Sequence, residues 1–497
     1  MKRLLFWWII AAAVLLILST AWGLIWVFSQ RDTVPEGVHA TTGNHDGAAP
    51  AGDVLHNIRP LSLGGLPVTA ALAALAASAQ AILDTPLTIE APNTAVAQKT
   101  WTLAELGLQI DFDDAKNTIM ELTKGSVMNR SMHRWKFPDQ LNVHITWDAQ
   151  KFEAAIRKQW GYIDKTKPIN AIRTISVNNT VHYTSHQDAY RLNIAALFNN
   201  ALKAAEHALA KQWGKPDVPL HLTLPLTAVH PEFTLKRLKD QGIDRMIASF
   251  STDFSTSDSG RIHNVTAAAN TLHDWLLAPD ELFDYGKVVE ATREKYGFQE
   301  APVIVNGELV PGVGGGICQV SSTLYNAALY AGLSMTERRN HSLPVSYLPK
   351  GRDATFAEGA INFRFRNTTG KYLLIRTEVI GRTLTVKLFG TMPANETYKL
   401  DSKTVEVVPP PEKTVVSAAV QPGGKVLLTP GKPGYVVETY RTLFRNGKAV
   451  SRQRISRDTY KAQPSVFGVA AGETNDAAPA PYNAAKQKAL IEDGVSR

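Results

Sequence analysis

Cysteine occurs once in this 497-residue chain, at Cys318, so no disulfide can form within it and its folds must stand on their cores alone. Neither a second cysteine nor a histidine pair at ligand spacing accompanies that residue, which argues against a metal site there. No metal or other cofactor is expected. Nucleic-acid motifs are missing too, and nucleic acid is not an expected partner. The formal net charge of +8 is spread along the sequence without a long basic run, and it favours, weakly, an acidic polymer as partner. The most telling absence is again one of charge. After Lys2 and Arg3, residues 4–28 carry none, and at ~1.5 Å per residue such a run crosses a ~30 Å hydrocarbon core.

Trp7 and Trp8 lie near one end of this run and Trp22 and Trp26 near the other, where indole rings favour the lipid–water interface. Lys2 and Arg3 place the N-terminus inside. A cleaved signal peptide has an apolar region of only ~7–15 residues and small residues at its cleavage site. Here the run is longer and ends in Ser29-Gln30-Arg31-Asp32. The expectation is therefore a single-pass anchor over residues 1–31 in the cytoplasmic membrane, with the bulk of the chain outside it.

The rest of the chain is long enough for about three domains, and the reading is a multidomain α+β protein. Residues 32–55 are rich in Gly, Ala, Asp and Pro without apolar periodicity, as in a flexible spacer. A coil of that length spans only about 25–30 Å, which would keep the domains near the membrane. Residues 56–235 read as an α+β domain: a strand and turn at Leu61 to Leu66, an Ala/Leu-rich helix over about 68–83 and a strand near Leu87. Asp148 is the expected N-cap of a helix carrying Phe152, Ile156 and Trp160, another helix runs over about 187–213, and a strand over 221–226 closes the region. Residues 240–392 form a second α+β domain, denser in Gly, aromatic and polar residues. Residues 395–470 read as a small all-β module, with Asn446-Gly447 as a type I′ hairpin signal. Residues 471–497 have few large apolar residues and read as a disordered tail.

The chemistry-bearing stretch is Pro311-Gly-Val-Gly-Gly-Gly-Ile-Cys318, a glycine-rich turn leading directly into a helix that ends before Gly332. Cys318 then sits at a helix N-terminus, where free backbone N–H groups and the positive dipole end favour thiolate over thiol. The same N–H groups can form an oxyanion hole. His341 is the candidate base for that thiol, and Asp353 or Asn340 can orient its other ring nitrogen; the adjacency of Asn340 to His341 favours Asp353. The plain alternatives are a buried apolar cysteine, a glycine run that is only a tight turn, and a structural histidine.

These residues also carry a resemblance. Residues 249–391 are similar to the VanW family, through Asn264, Tyr296-Gly297, the block Gly314-Gly-Gly-Ile-Cys-Gln-Val-Ser-Ser-Thr-Leu-Tyr325-Asn326, and Arg339-Asn-His341 followed by Tyr347, Pro349, Gly351 and Asp353-Ala-Thr355. Asn362 departs from the family, where an aspartate is expected, so an acidic role at that position is in doubt. Residues 56–235 resemble the domain, held to bind peptidoglycan, that often precedes VanW domains, through Gly64-Gly65-Leu66 and the stretch from Trp101 to Gly107. Residues 395–470 resemble a G-five (G5) domain, through Gly431, Gly434, Gly447, the run to Tyr460, and Gly468.

The resemblances imply a bacterial envelope protein, associated by family name with vancomycin resistance, with peptidoglycan or another cell-wall glycan as partner. The VanW family is proposed to include cysteine-dependent L,D-transpeptidases, which implies acyl transfer by Cys318, His341 and Asp353, with Gly315, Gly316, Gln319, Ser321, Arg339, Asn340 and Tyr347 binding substrate. The rival expectation is a non-catalytic envelope protein whose domains only bind peptidoglycan or organise a partner. A third is a carbohydrate cleft using Tyr325, Tyr347 and Arg339 with Cys318 as filler.

Overall fold

The uncharged run forms one continuous helix, Lys2–Ser29, long and apolar enough to cross a membrane. The computed structural model describes residues 2–42, 58–92, 95–210, 219–305, 308–471 and 491–495. It divides into two units, residues 1–169 with 187–231, and residues 170–186 with 232–497.

In the first unit the end of the apolar helix is tied to the fold. Ser131 Oγ donates to the Ile25 carbonyl at 3.0 Å, and the Arg134 guanidinium donates to the carbonyls of Arg31 and Thr33, each at 2.5 Å. Residues 39–41 form a strand that pairs in parallel with Gln140–Asn142 and antiparallel with Leu61–Ser62. The expected flexible spacer is thus overturned over residues 32–42; its remainder, residues 43–55, lies outside the described residues. The reason is that Val34, Val38 and Ala40 bury themselves completely in the core, an anchor too sparse to register as periodicity.

Elsewhere this unit follows the apolar spacing. Helix Val68–Leu83 buries Ala71, Leu75, Ala79 and Ile82, and helix Ala149–Trp160 buries Phe152, Ile156 and Trp160, one every four residues. Asp148 caps it, accepting the N–H groups of Gln150 and Lys151. The long helix is shorter than expected, Ile194–Leu209, because Ala189–Leu192 pairs as a strand with Leu226–Val229 and Asn193 caps the helix behind it. The closing strand is split into Leu220–Thr223 and Leu226–Val229 around Pro225, which has no N–H to give to a ladder.

The second unit is built on an antiparallel sheet in the order Arg245–Asp253, Thr383–Gly390, Leu373–Ile380, Trp275–Leu277. Against it lies the Cys318 helix, Ile317–Tyr330, whose residues from Ile317 to Leu329 are all buried. Helices Ser259–Leu272 and Tyr285–Tyr296 flank it. A hairpin, Glu300–Val305 with Glu308–Val313, runs into the glycine turn. The C-terminal part is all β: Glu396–Val408, Gly434–Arg445 and Lys448–Tyr460 form one sheet, and Glu412–Val416, Ser465–Val469 and Lys425–Thr429 another. Asn446 and Gly447 turn the long hairpin with φ of 50° and 75°, as a type I′ turn requires.

Two boundaries differ from expectation. The hairpin Ile172–Ile175 with Val181–Thr184 belongs to the second unit, although the first domain was expected to run to residue 235. The expected disordered tail is overturned over residues 491–495, where Ile491–Glu492 adds a strand to the outer edge of Glu300–Val305.

Candidate functional site

The glycine run exists because the turn leaves no room for side chains. A Cβ on Gly315 would stand 2.4 Å from the Pro302 carbonyl oxygen, and Gly316 turns the chain with φ of +105°. Asn264 locks this turn: its amide donates to the carbonyls of Gln299 and Gly315 at 2.9 and 3.0 Å and accepts the Gln299 N–H at 2.8 Å. The backbone N–H groups of Gly316 and Cys318 then point the same way. Both donate to one oxygen, Oδ1 of Asp493, at 3.1 and 2.7 Å, while Arg261 pairs with Oδ2 at 3.0 Å. Arg261 is itself held by Gln319 Oε1 at 3.1 Å, and Gln319 is anchored through its other amide atom to Thr252 and Asp253. Neither Arg261 nor Asp493 was among the expected site residues.

Cys318 sits where the glycine turn predicts, at the start of the helix, but its state is not the expected one. It is 0% exposed within an apolar cluster. Its Sγ accepts the Phe356 N–H at 3.0 Å and lies 3.4 Å from the Phe356 carbonyl. Burial, followed by the negative charge of Asp493, pushes the thiol well above its ordinary range. The thiolate expected from the helix start is disfavoured here: the N–H groups at the positive end of the helix are answered by a carboxylate, and desolvation and that negative charge both favour the thiol.

His341 and Asp353 do come together. Oδ2 of Asp353 accepts both the backbone N–H of His341 at 2.6 Å and its ring Nδ1 at 2.7 Å, with both side chains buried. Burial alone would lower the His341 pKa, but the Asp353 hydrogen bond and the charges of Asp353, Asp493 and Glu492 outweigh it and the net shift is upward. Burial acts the other way on Asp353, and the bonds from His341 and Tyr460 with the charges of His341 and Arg338 overcome it, holding that carboxyl at about 2. Among the described residues the buried ring Nε2 of His341 has no hydrogen-bond partner, so no bond joins it to Sγ of Cys318.

The pair is braced from the β module. Tyr460 donates its hydroxyl to Asp353 Oδ1 at 2.5 Å and accepts the Gly351 N–H at 2.6 Å. Arg338 donates to the Asp353 backbone carbonyl at 2.7 Å and pairs with Asp458 at 2.5 Å. Asn340, expected to touch substrate, instead donates to the carbonyls of His341 and Thr459.

The remaining expected residues divide. Tyr347 lies under Arg261, 5.8 Å from ring centre to guanidinium, and with Gln319 and Asp493 lines a cavity of about 420 Å³. Ser321 is fully buried and donates to the Ala354 carbonyl at 2.6 Å, which makes it a clasp for the Asp353 loop. Arg339 is exposed, and its carbonyl accepts the Thr355 N–H. Tyr325 is fully buried beneath Arg338, so it lines no carbohydrate cleft. Asn362 donates to Asp284 at 2.7 Å and accepts the Gly286 N–H at 3.1 Å; an ionised aspartate there could not make the first bond. Among the described residues, no group of three or more His, Cys, Asp or Glu is placed to hold a metal ion.

Comparison with known proteins matches residues 260–389 to the family described as "VanW like protein" and residues 399–471 to the G5 domain family. A Bacillus subtilis protein, "Uncharacterized protein YoaR", is 34% identical over 191 residues, which is 38% of this chain and 63% of that protein. The "Vancomycin B-type resistance protein VanW" of Enterococcus faecalis is 28% identical over 153 residues, 30% of this chain and 56% of that protein. The chain thus spans less than two thirds of the length of either relative. Among solved structures, the HP0197-G5 crystal structure is similar at 23% identity and a TM-score of 0.11, covering 14% of this chain and 96% of that one. An IgA1 protease G5 domain is similar at 20% identity and a TM-score of 0.12, covering 16% and 96%.

Proposed function

We propose that this chain, which carries a VanW domain over residues 260–389 and a G5 domain over residues 399–471, is a membrane-anchored envelope protein that binds peptidoglycan and transfers an acyl group between its stem peptides through Cys318. The observation that carries this reading is the convergence of the Gly316 and Cys318 N–H groups on a single anionic oxygen. Two backbone donors at 3.1 and 2.7 Å from one oxygen are what a tetrahedral intermediate at this cysteine would need.

In the proposed reaction Sγ of Cys318 bonds to the carbonyl carbon of a donor stem and the amide C–N bond breaks. The thiol proton passes through Nε2 of His341 to the leaving amine, while Asp353 holds Nδ1. An acceptor stem amine then attacks the thioester, the C–S bond breaks, and the amine's proton returns to sulfur by the same nitrogen. For this, Sγ must turn from Phe356 toward the imidazole, and the carboxylate of Asp493 must leave the N–H pair. The G5 domain and the first unit would hold glycan, with the N-terminus inside and the bulk of the chain outside the membrane.

A second reading, binding without catalysis, is favoured by the sealed sulfur: in it Cys318 is core and the VanW domain grips wall polymer only. Detergent-purified full chain incubated with disaccharide-tetrapeptides decides between them. Acyl transfer predicts cross-linked dimers and a mass adduct on Cys318, both lost in Cys318→Ala. Equal products from parent and Cys318→Ala would refute it, and absence of products with retention of the parent on purified sacculi would establish the second reading.

A further inference from the structure

We infer that the groove between the edge of strand Glu300–Val305 and the N-terminus of the Cys318 helix is a binding site for an extended acidic peptide, and that residues 491–495 of this chain are its internal occupant and compete with any such ligand. This rests on reading the site as one that receives stem peptides, and it adds that the chain supplies its own competitor for them.

The segment is held as a bound peptide is held. Its backbone is gripped on several sides: Glu492 and Ile491 pair with Ile304 and Val305, Asp493 N–H donates to the Phe356 carbonyl, Gly494 bridges to Ala357, and Val495 N–H donates to the Val313 carbonyl. Its side chains meet built partners. Glu492 accepts the Ser342 N–H and hydroxyl, both at 2.9 Å, and Asp493 takes the two N–H groups and Arg261. Asp493 is only 7% exposed and Val495 3%. Such burial of acidic side chains is rare, and it is tolerated only because every carboxylate oxygen named here has a donor.

The groove is also longer than its occupant. The cavity of about 420 Å³ that Arg261, Gln319 and Tyr347 line has Asp493 on its wall and continues along Pro302, Ile304 and Leu343. The segment that is present does not fill this cavity, which would take a larger ligand.

The segment is also selective in shape. Asp493 sits at φ +62°, in the left-handed region that aspartate reaches more readily than most L-residues. The next residue must be small, since a Cβ on Gly494 would stand 2.6 Å from Val303 Cγ1 and 2.9 Å from the Val313 carbonyl.

The test is binding, so it does not depend on Cys318 doing chemistry. A fluorescein-labelled peptide of residues 488–497 is titrated by anisotropy against full chain and against chain ending at Leu490, with unchanged melting as the control for folding. Binding should be at least about tenfold tighter to the shortened chain, where no internal segment competes. The same peptide with Gly494→Ala should bind at least about tenfold more weakly, and Arg261→Gln in the shortened chain should weaken the parent peptide by about tenfold or more. Equal binding to both chains, or none to the shortened one, would overturn the inference, as would equal affinity of the parent and Gly494→Ala peptides. Tight peptide binding without a Cys318 adduct in the stem-peptide assay would leave this inference standing and remove acyl transfer.

Discussion

Replacing Asp353 with alanine will destabilise the second unit by about 3–5 kcal/mol, the cost of removing one partner from a buried charge pair. The size follows from what that one carboxylate holds. It accepts the His341 backbone and ring N–H groups and the Tyr460 hydroxyl, and its own backbone carbonyl accepts from Arg338. Alanine keeps the last bond and strands the other three donors in the core. Urea unfolding followed by a probe confined to this unit measures the loss.

The pH dependence has a definite sign. Asp353 is held at about 2 in the folded protein, below the ordinary carboxylate value. Its contribution is therefore present above the unfolded value of ~4 and is lost as pH falls from there through about 2. His341 is raised, so its contribution is present below the unfolded value of ~6.5 and is lost as pH rises through the higher folded one. The parent unit should lose stability at both ends. Asp353→Ala should shrink the acid limb by this carboxylate's share, and the His341 ring signal, followed by NMR, should titrate at lower pH, since burial then acts without the nearest counter-charge. An unchanged acid limb would show that the carboxylate is not the linked group.

The second large effect is expected at Gly315. An alanine there places Cβ 2.4 Å from the Pro302 carbonyl oxygen and 2.9 Å from both the carbonyl carbon and the Cβ of Ala301. Pro302 lies in a strand paired on one edge with Pro311 and its neighbours, and two residues further on the same strand pairs with the segment 491–492 on the other edge. It cannot retreat without breaking a ladder. The glycine turn must move instead, costing about 1–3 kcal/mol and swinging the Gly316 and Cys318 N–H groups off their shared oxygen. Binding of the 488–497 peptide to the shortened chain should fall by more than tenfold, beyond what the stability loss explains. Gly381→Ala is the control: its φ is +58°, but nothing stands within 4 Å of the added Cβ, so only the backbone term of about 1 kcal/mol applies. Equal effects at the two positions would mean that the close approach to Pro302 carries no weight.

Local features of the site were legible because their causes are local. The glycine run before an apolar helix puts Cys318 at a helix N-terminus wherever that helix packs, and His341 and Asp353 are only 12 residues apart in one polar loop. In the same way the four-residue spacing of Phe152, Ile156 and Trp160 determines a buried helix face, and Asn446-Gly447 determines a hairpin turn. The partners that set the state of the site come from far along the chain: Tyr460 reaches Asp353 across 107 residues, Arg261 reaches Gln319 across 58, and Asp493 reaches the Cys318 N–H across 175. A single hydrogen bond between distant residues leaves no periodicity to read. The one trace of the last was a short apolar-and-acidic run, Ile-Glu-Asp-Gly-Val, inside a tail otherwise poor in large apolar residues.

The sequence by itself determined the features with which it is so sparing: one cysteine and hence no disulfide within the chain, and one long uncharged run and hence, among the described residues, one helix able to cross a membrane. It also determined that the cysteine opens a helix. Only the tertiary structure decided that the sulfur is sealed, that the N–H groups beside it hold a carboxylate, and that the carboxylate is that of Asp493 in the same chain. The physical reason is that the preference for a helix or a turn is a property of neighbouring residues, whereas desolvation and ion pairing are properties of whatever else the fold brings to the same place.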